Sequence, residues 1–318
     1  MSSPRLGAPL PAQANSLPEI SIVVGSVNSA RSIARTLSAL GGACHGLNAE
    51  IVVVDASTDG TTARIEAGLP VVVRSLEPGT LTPKLWSTGF ALSRGRVVAF
   101  TTGHCLVGEG WARALLAAIE GGAAGAAGCI DLDPESDPVD WAVFYLRYSA
   151  FIGAGARDVE TSPEIPGDNA AYAREALDRH ASSFADGFWE VDFHRRLRAE
   201  DAATRLVFVP GAQARFGPSD SFASLARQRF SHGRHSGAWR TTTGVRSAWQ
   251  IVLAAPLVPA LLTLRIARRV LPRAAHRMRF VRSLPAMLGL AAAWAAGEAW
   301  GALSHSDHAA LRKPRFAA

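Results

Sequence analysis

The 318-residue chain is poor in cysteine. Its three, Cys44, Cys105 and Cys129, are odd in number and share no metal-like spacing, which fits a reduced, cytosolic compartment. Charge is also thin, at 19% of residues, and it leans positive, with a net +6. That balance favours phosphate esters, an anionic lipid surface or nucleic acid as partners. Zinc-finger and RNP-type signatures are missing, and no aromatic run interleaves with the basic residues, so nucleic acid is set aside. No Gly-x-Gly-x-x-Gly follows the first apolar run and no Gly-x-x-x-x-Gly-Lys-[Ser/Thr] occurs, which argues against a dinucleotide Rossmann site and a P-loop. The first residues lack a continuous apolar run. They read as a disordered lead-in over 1–18, not a signal peptide.

What is present is alternation. Between 19 and 130, short apolar runs (20–25, 51–54, 71–74, 96–100, 124–130) alternate with helical spacings (30–40, 61–67, 88–93, 111–120), the signature of a parallel sheet flanked by helices. Residues 131–140 read as an acidic, Pro-rich loop and 139–151 as an aromatic helix. Residues 167–177 read as a turn and then a helix, 188–198 as a helix and 206–209 as a strand. The central stretch is 51–61, IVVVDASTDGT: a buried-type strand delivers Asp55 to the carboxyl edge of the sheet, where open α/β sheets bind ligands. Residues 216–247 read as a basic linker. Two apolar stretches follow, 248–264 and 284–303, joined by a connector with seven arginines and no acid. Both are expected within membrane-associated helices over 248–303, ahead of a tail at 304–318. Pro256, Pro259, Glu298 and the positive-inside preference favour a re-entrant or interfacial pair over two spans. Core helices of a soluble domain are the rival reading.

Five stretches, in order, carry a resemblance to family 2 glycosyltransferases: SIVVGSVNSARSIARTLSAL, IVVVDASTDGT, RGRVVAFTTGHCLVGEGW, GDNAAYAREAL and FWEVDFHRRL. The resemblance implies a GT-A-like mostly parallel sheet over 19–215, followed by the C-terminal apolar helical appendage. It implies inverting transfer from a nucleotide-diphosphate sugar to a hydroxyl acceptor, lipid-linked or part of a cell-envelope glycan, at the cytoplasmic face of the membrane. Asp55 and Ser26 then fall at the nucleotide, with Asp59, Lys84 and Thr102 as further donor contacts. Val27 stands where a stacking Tyr is usual. Gly167, Asp168 and Asn169 fall at the acceptor side. Glu190 aligns with the general base, and Asp192, two residues on, is the second carboxylate. The family's Asp-x-Asp reads Thr102, Gly103, His104 here. That leaves three readings open: His104 as a ligand for Mn or Mg, His104 or a basic loop on the diphosphate without metal, or an inactive module that binds nucleotide sugar or a partner and tethers it to the membrane. Arg229, His232 and Arg234, within RQRFSHGRHSGAWR, are candidates to close over a phosphate. A nucleotidyltransferase is a weaker rival, since no early Gly-rich basic loop is present.

Overall fold

A computed structural model describes residues 17–66, 71–132, 136–154, 156–217, 221–242 and 244–304. The expected lead-in, apart from its last two residues, and the tail beyond 304 lie outside them. The chain divides into two compact units, one of residues 1–133 and 151–217, the other of 134–150 and 218–318.

The first unit is α/β. Its strands are β1 (Ile20–Ser26), β2 (Ala49–Asp55), β3 (Val72–Ser75), β4 (Val97–Thr102), β5 (Cys105–Val107), β6 (Gly125–Ala127), β7 (Ile130–Leu132), β8 (Glu160–Thr161), β9 (Asn169–Ala173), β10 (Leu206–Phe208) and β11 (Ala214–Phe216). Eight form one sheet in the order β3-β2-β1-β4-β9-β6-β10-β8, and β5-β11-β7 form a small second sheet. The β1, β2, β3 and β4 pairings are parallel, while β9 runs antiparallel between β4 and β6. This mostly parallel, helix-flanked sheet is the architecture the resemblance implied.

Helices α1 (Ile33–Ala43), α2 (Thr61–Glu66), α3 (Thr82–Leu92) and α4 (Trp111–Glu120) follow strands of this unit. The strand period of two sorts the core. Ile22, Val24 and Val53 meet Leu37, Leu40, Trp111 and Leu115 in one cluster. Val23, Val98 and Phe100 meet Trp86, Phe90, Phe184, Phe188 and Phe193 in another. Each such apolar side chain contributes about 1.5–3 kcal/mol when fully buried.

Helix α5 (Pro138–Tyr148) is capped by Asp137, whose Oδ1 accepts from the N–H groups of Val139 and Asp140. It belongs to the second unit, although it lies within the 19–215 expected for the glycosyltransferase-like domain. The expected helix after Gly167 is also corrected. Asn169–Ala173 is a strand, and only then comes α6 (Arg174–Arg179). Helix α7 (Glu190–Glu200) follows.

The second unit is helical: α8 (Phe222–Thr242), α9 (Ala248–Ala254), α10 (Val258–Val270) and α11 (Ala274–Leu303). Most of the stretch expected as a basic linker is thus one long helix. Gly233 and Gly237 of α8 interlock with Gly297 and Gly301 of α11. A β-carbon on Gly237 would stand 1.9 Å from the Glu298 carbonyl oxygen, and one on Gly301 1.9 Å from that of Arg234. Small residues four apart let two helix backbones approach this closely.

Candidate functional site

The carboxyl ends of β1, β2 and β4 stand level. Ser26 pairs in register with Asp55, and Gly25 with Thr102. Chain leaves each strand there into a polar loop, and the loops after β1 and β2 are laced together. Asn28, with φ +51°, donates its N–H to Ser57 Oγ at 2.7 Å, and its Oδ1 accepts from the Thr58 N–H at 3.0 Å. The Ser29 N–H donates to Thr61 Oγ1 at 3.0 Å.

Asp55 is buried at this edge, and both its oxygens accept hydroxyl hydrogens, from Ser57 at 2.6 Å and Thr62 at 2.5 Å. A carboxylate oxygen has two lone pairs, so the donors that hold Asp55 leave it acceptor capacity. Ser26 Oγ beside it is buried and makes no hydrogen bond among the described residues, and the same is true of Thr101 Oγ1. Two buried hydroxyls lacking partners at a ligand-binding sheet edge are the polar groups a bound molecule would satisfy.

Asp59 accepts from the Ala30 N–H at 3.0 Å and from the Thr61 N–H and Oγ1 at 3.1 and 2.5 Å. Burial alone would raise its carboxyl pKa, but the bonds from Thr61 and Ala30 outweigh it and the group is held below the ordinary aspartate value. Its place is a clamp between the two loops at the start of α2. Lys84 is also engaged structurally, its Nζ donating to the Ala185 carbonyl at 2.6 Å. Thr102 donates to Cys105 Sγ at 3.5 Å and lies buried.

Past β4, the Gly103 backbone packs on the serines of the first loop. A β-carbon there would stand 2.5 Å from Ser29 Oγ and 3.2 Å from Ser26 Oγ. His104 reaches the same loop. Its Nε2 lies 3.2 Å from the Val27 carbonyl and 3.3 Å from Ser29 Oγ, and its Nδ1 lies 3.3 Å from Ser32 Oγ. The residues around His104 do not fit a divalent cation. Its ring nitrogens face hydroxyls and a carbonyl. Asp59 is bound to backbone and hydroxyl donors, and among the described residues no group of three or more His, Cys, Asp or Glu could hold a metal.

On the other flank, Trp86 of α3 donates its indole N–H to the Thr101 carbonyl at 2.8 Å and lies against Gly25 and Gly167. The Glu190 carboxyl carbon also meets Gly167, 3.2 Å from where a β-carbon would stand. Glu190 opens α7, where the helix N-terminus favours a negative charge. Asp192 is paired instead with Arg196, Nε to Oδ2 at 2.7 Å, one turn along the same helix. Gly167, Trp86 and Glu190 therefore come together, and Asp192 is held elsewhere.

Asn169, expected at the acceptor side, has its side-chain amide engaged within the fold. Its Nδ2 donates to the Gly128 and Ala212 carbonyls, both at 3.0 Å, and its Oδ1 accepts from Trp111 Nε1 at 2.5 Å. It staples the sheet to the segments after β6 and β10. Asp168 beside it is buried.

A family model described as "Glycosyl transferase family 2" matches residues 21–181, just over half the chain. The chain belongs to family 2 of the glycosyltransferases. No curated protein matches it. Among solved structures, it is similar to S. aureus TarS 1–349 in complex with UDP, at 16% identity and a TM-score of 0.47, and in complex with UDP-GlcNAc, at 14% and 0.48. Each comparison covers 85% of this chain and 90% of the other. The family match takes in Ser26, Asp55, His104 and Gly167 of this glycosyltransferase and ends before Glu190, whose case rests on geometry.

Arg229, His232 and Arg234 lie on α8, in the helical unit. Burial first, then the charges of Arg229, Arg147 and His235, push the His232 imidazole down to about 3, so it carries no charge at neutral pH. The segment, part of the expected basic linker, is a helix whose Gly233 and Gly237 pack on α11.

Proposed function

We propose that the chain transfers a glycosyl group, with inversion, from a nucleotide-diphosphate sugar to a hydroxyl of a lipid-linked or cell-envelope glycan acceptor, on the cytoplasmic face of the membrane. Ser26 and Asp55 receive the nucleotide. Glu190, against Gly167, takes the acceptor's proton. The acceptor oxygen forms a bond to the anomeric carbon as the bond from that carbon to the diphosphate oxygen breaks. The proton passes to the Glu190 carboxylate and the nucleoside diphosphate leaves. A single displacement from the opposite face inverts the anomeric centre. The observation that carries this reading is that the Glu190 carboxyl and the Trp86 ring both lie against Gly167, in a unit whose strand ends hold Asp55 and the Ser26 hydroxyl, which has no hydrogen-bond partner among the described residues.

The second reading, a binding module without turnover, is favoured by the hydroxyl-lined setting of His104 in place of paired carboxylates. A thermal-shift screen of UDP-, GDP- and dTDP-sugars tests both. Stabilisation grows as RT ln(1 + [L]/Kd), so a donor at a hundred times its Kd adds about 2.7 kcal/mol. A shift with one donor class, together with its conversion to nucleoside diphosphate, supports transfer. A shift without conversion on any acceptor supports the module. No shift with any donor contradicts both.

A further inference from the structure

The helical unit carries a bare apolar face. Ala248–Val270 forms a helical run of 23 residues. Trp249, Leu253, Leu257, Leu261 and Leu264 recur every three or four positions, so they share one side, and each is 50–75% exposed. Ile251, Ile266 and Val270, on the other side, are buried. The exposed stripe ends at Arg265 and Arg268, which open the acid-free arginine connector.

By length, the run would reach about 35 Å and could cross a hydrocarbon layer of about 30 Å. The pairing of α8 with α11 argues against a crossing hairpin. The two helices run side by side in the same direction: Phe222 lies beside Gly289, Phe230 beside Gly297 and Arg234 beside Gly301. The apolar half of α11 is therefore accompanied throughout by α8, with its Arg227, Arg229, Arg234 and Arg240. Sinking α11 into lipid would take those charges along, which a bilayer interior opposes strongly.

We infer that the helical unit is a monotopic anchor for an anionic phospholipid surface. Ala248–Val270 lies in the membrane plane, its leucines and Trp249 enter the acyl boundary, and the connector arginines meet headgroup phosphates. Charge complementarity selects this occupant, because a second copy would bring the same arginines to the contact. The inference deepens the membrane part of the proposed function and is independent of its catalytic part.

The test is flotation of the full chain with vesicles of phosphatidylcholine alone, or mixed equally with phosphatidylglycerol. Binding is expected only to the mixed vesicles and should weaken with salt. Leu253→Glu with Leu261→Glu should abolish it. Arg265→Gln and Arg268→Gln should each weaken it about fivefold. All four sites are exposed, and unchanged melting temperatures will show that the variants fold. On bound protein, Ala248→Cys and Ala274→Cys should both react with an impermeant maleimide added outside. Equal binding to both vesicles, binding that survives the glutamates, self-association through the stripe in place of lipid binding, or protection of only one of the two cysteines overturns the inference. A donor-induced thermal shift on the same protein reports separately on the glycosyltransferase site.

Discussion

The Glu190 carboxyl lies directly against the Cα of Gly167, with the Trp86 ring on the same glycine. A β-carbon on Gly167 would stand 2.9 Å from Trp86 Cζ3 and 3.2 Å from Glu190 Cδ. Gly167→Ala should therefore displace Glu190, the proposed base, along with the Trp86 ring. A misplacement near 1 Å costs about a hundredfold in turnover, so kcat should fall by that order while the donor-induced thermal shift persists. Equal loss of donor binding would place Gly167 at the nucleotide.

Asp55 holds the Ser57 and Thr62 hydroxyls, and the proposed function gives it a second, separable role at the nucleotide. Asp55→Ala leaves the Ser57 and Thr62 hydroxyls without their acceptor, which should lower stability by about 1–3 kcal/mol in denaturant titration. Asp55→Asn keeps an acceptor and should lose less. Both should weaken nucleotide binding by calorimetry, and Ser26→Ala should weaken it without loss of stability, since its hydroxyl makes no hydrogen bond among the described residues.

Chelation is expected to leave donor binding unchanged. His104 is held by Ser29, Ser32 and Val27, and among the described residues no group of three or more His, Cys, Asp or Glu could hold a metal. Donor titrations with EDTA and with Mn²⁺ should give the same Kd. A donor Kd that tightens tenfold with Mn²⁺ would show that the loop rearranges into a metal site.

His194 sets an acid limb on stability. Its Nε2 lies 2.8 Å from the Tyr172 hydroxyl, and burial, with Arg198 nearby, pushes the imidazole down to about 3. The unfolded chain takes up this proton near pH 6.5, the folded chain only near 3. The neutral form's contribution is therefore complete above pH 6.5 and is lost as pH falls through that window. Stability should drop by a few kcal/mol between pH 6.5 and 4, and His194→Gln should flatten that slope.

Gly237→Ala and Gly301→Ala should each loosen the α8–α11 pair, because the new methyl meets a backbone carbonyl that has no rotamer to yield. Losses of about 1–3 kcal/mol are expected by thermal unfolding. An unchanged melting temperature would contradict the interlocked crossing.

The alternation of β-branched runs with helical spacings made the sheet legible, because β1, β2 and β4 are buried on both faces. Strand β9 was not legible. Its sequence, NAAYA, is nearly all small residues, and pairing with β4 and β6 makes it a strand. Helix α8 escaped an apolar-period reading because its packing surface is glycine. The two Gly-x-x-x-Gly spacings at 233/237 and 297/301 are the signal that reveals it. At the site, Asp55, Ser26 and Glu190 were legible as motif positions. Asn169 and Lys84 have the right chemistry for ligands, but their partners, the Trp111 indole and backbone carbonyls, are brought close only by the fold.

Glu190 is proposed as the base of a working glycosyltransferase. Its most direct test is product formation from the donor that gives a thermal shift, compared between the wild-type chain and Glu190→Gln. Turnover is expected in the wild type and should fall by about a hundredfold or more in the variant, with the donor Kd unchanged. Wild-type turnover in Glu190→Gln would contradict it.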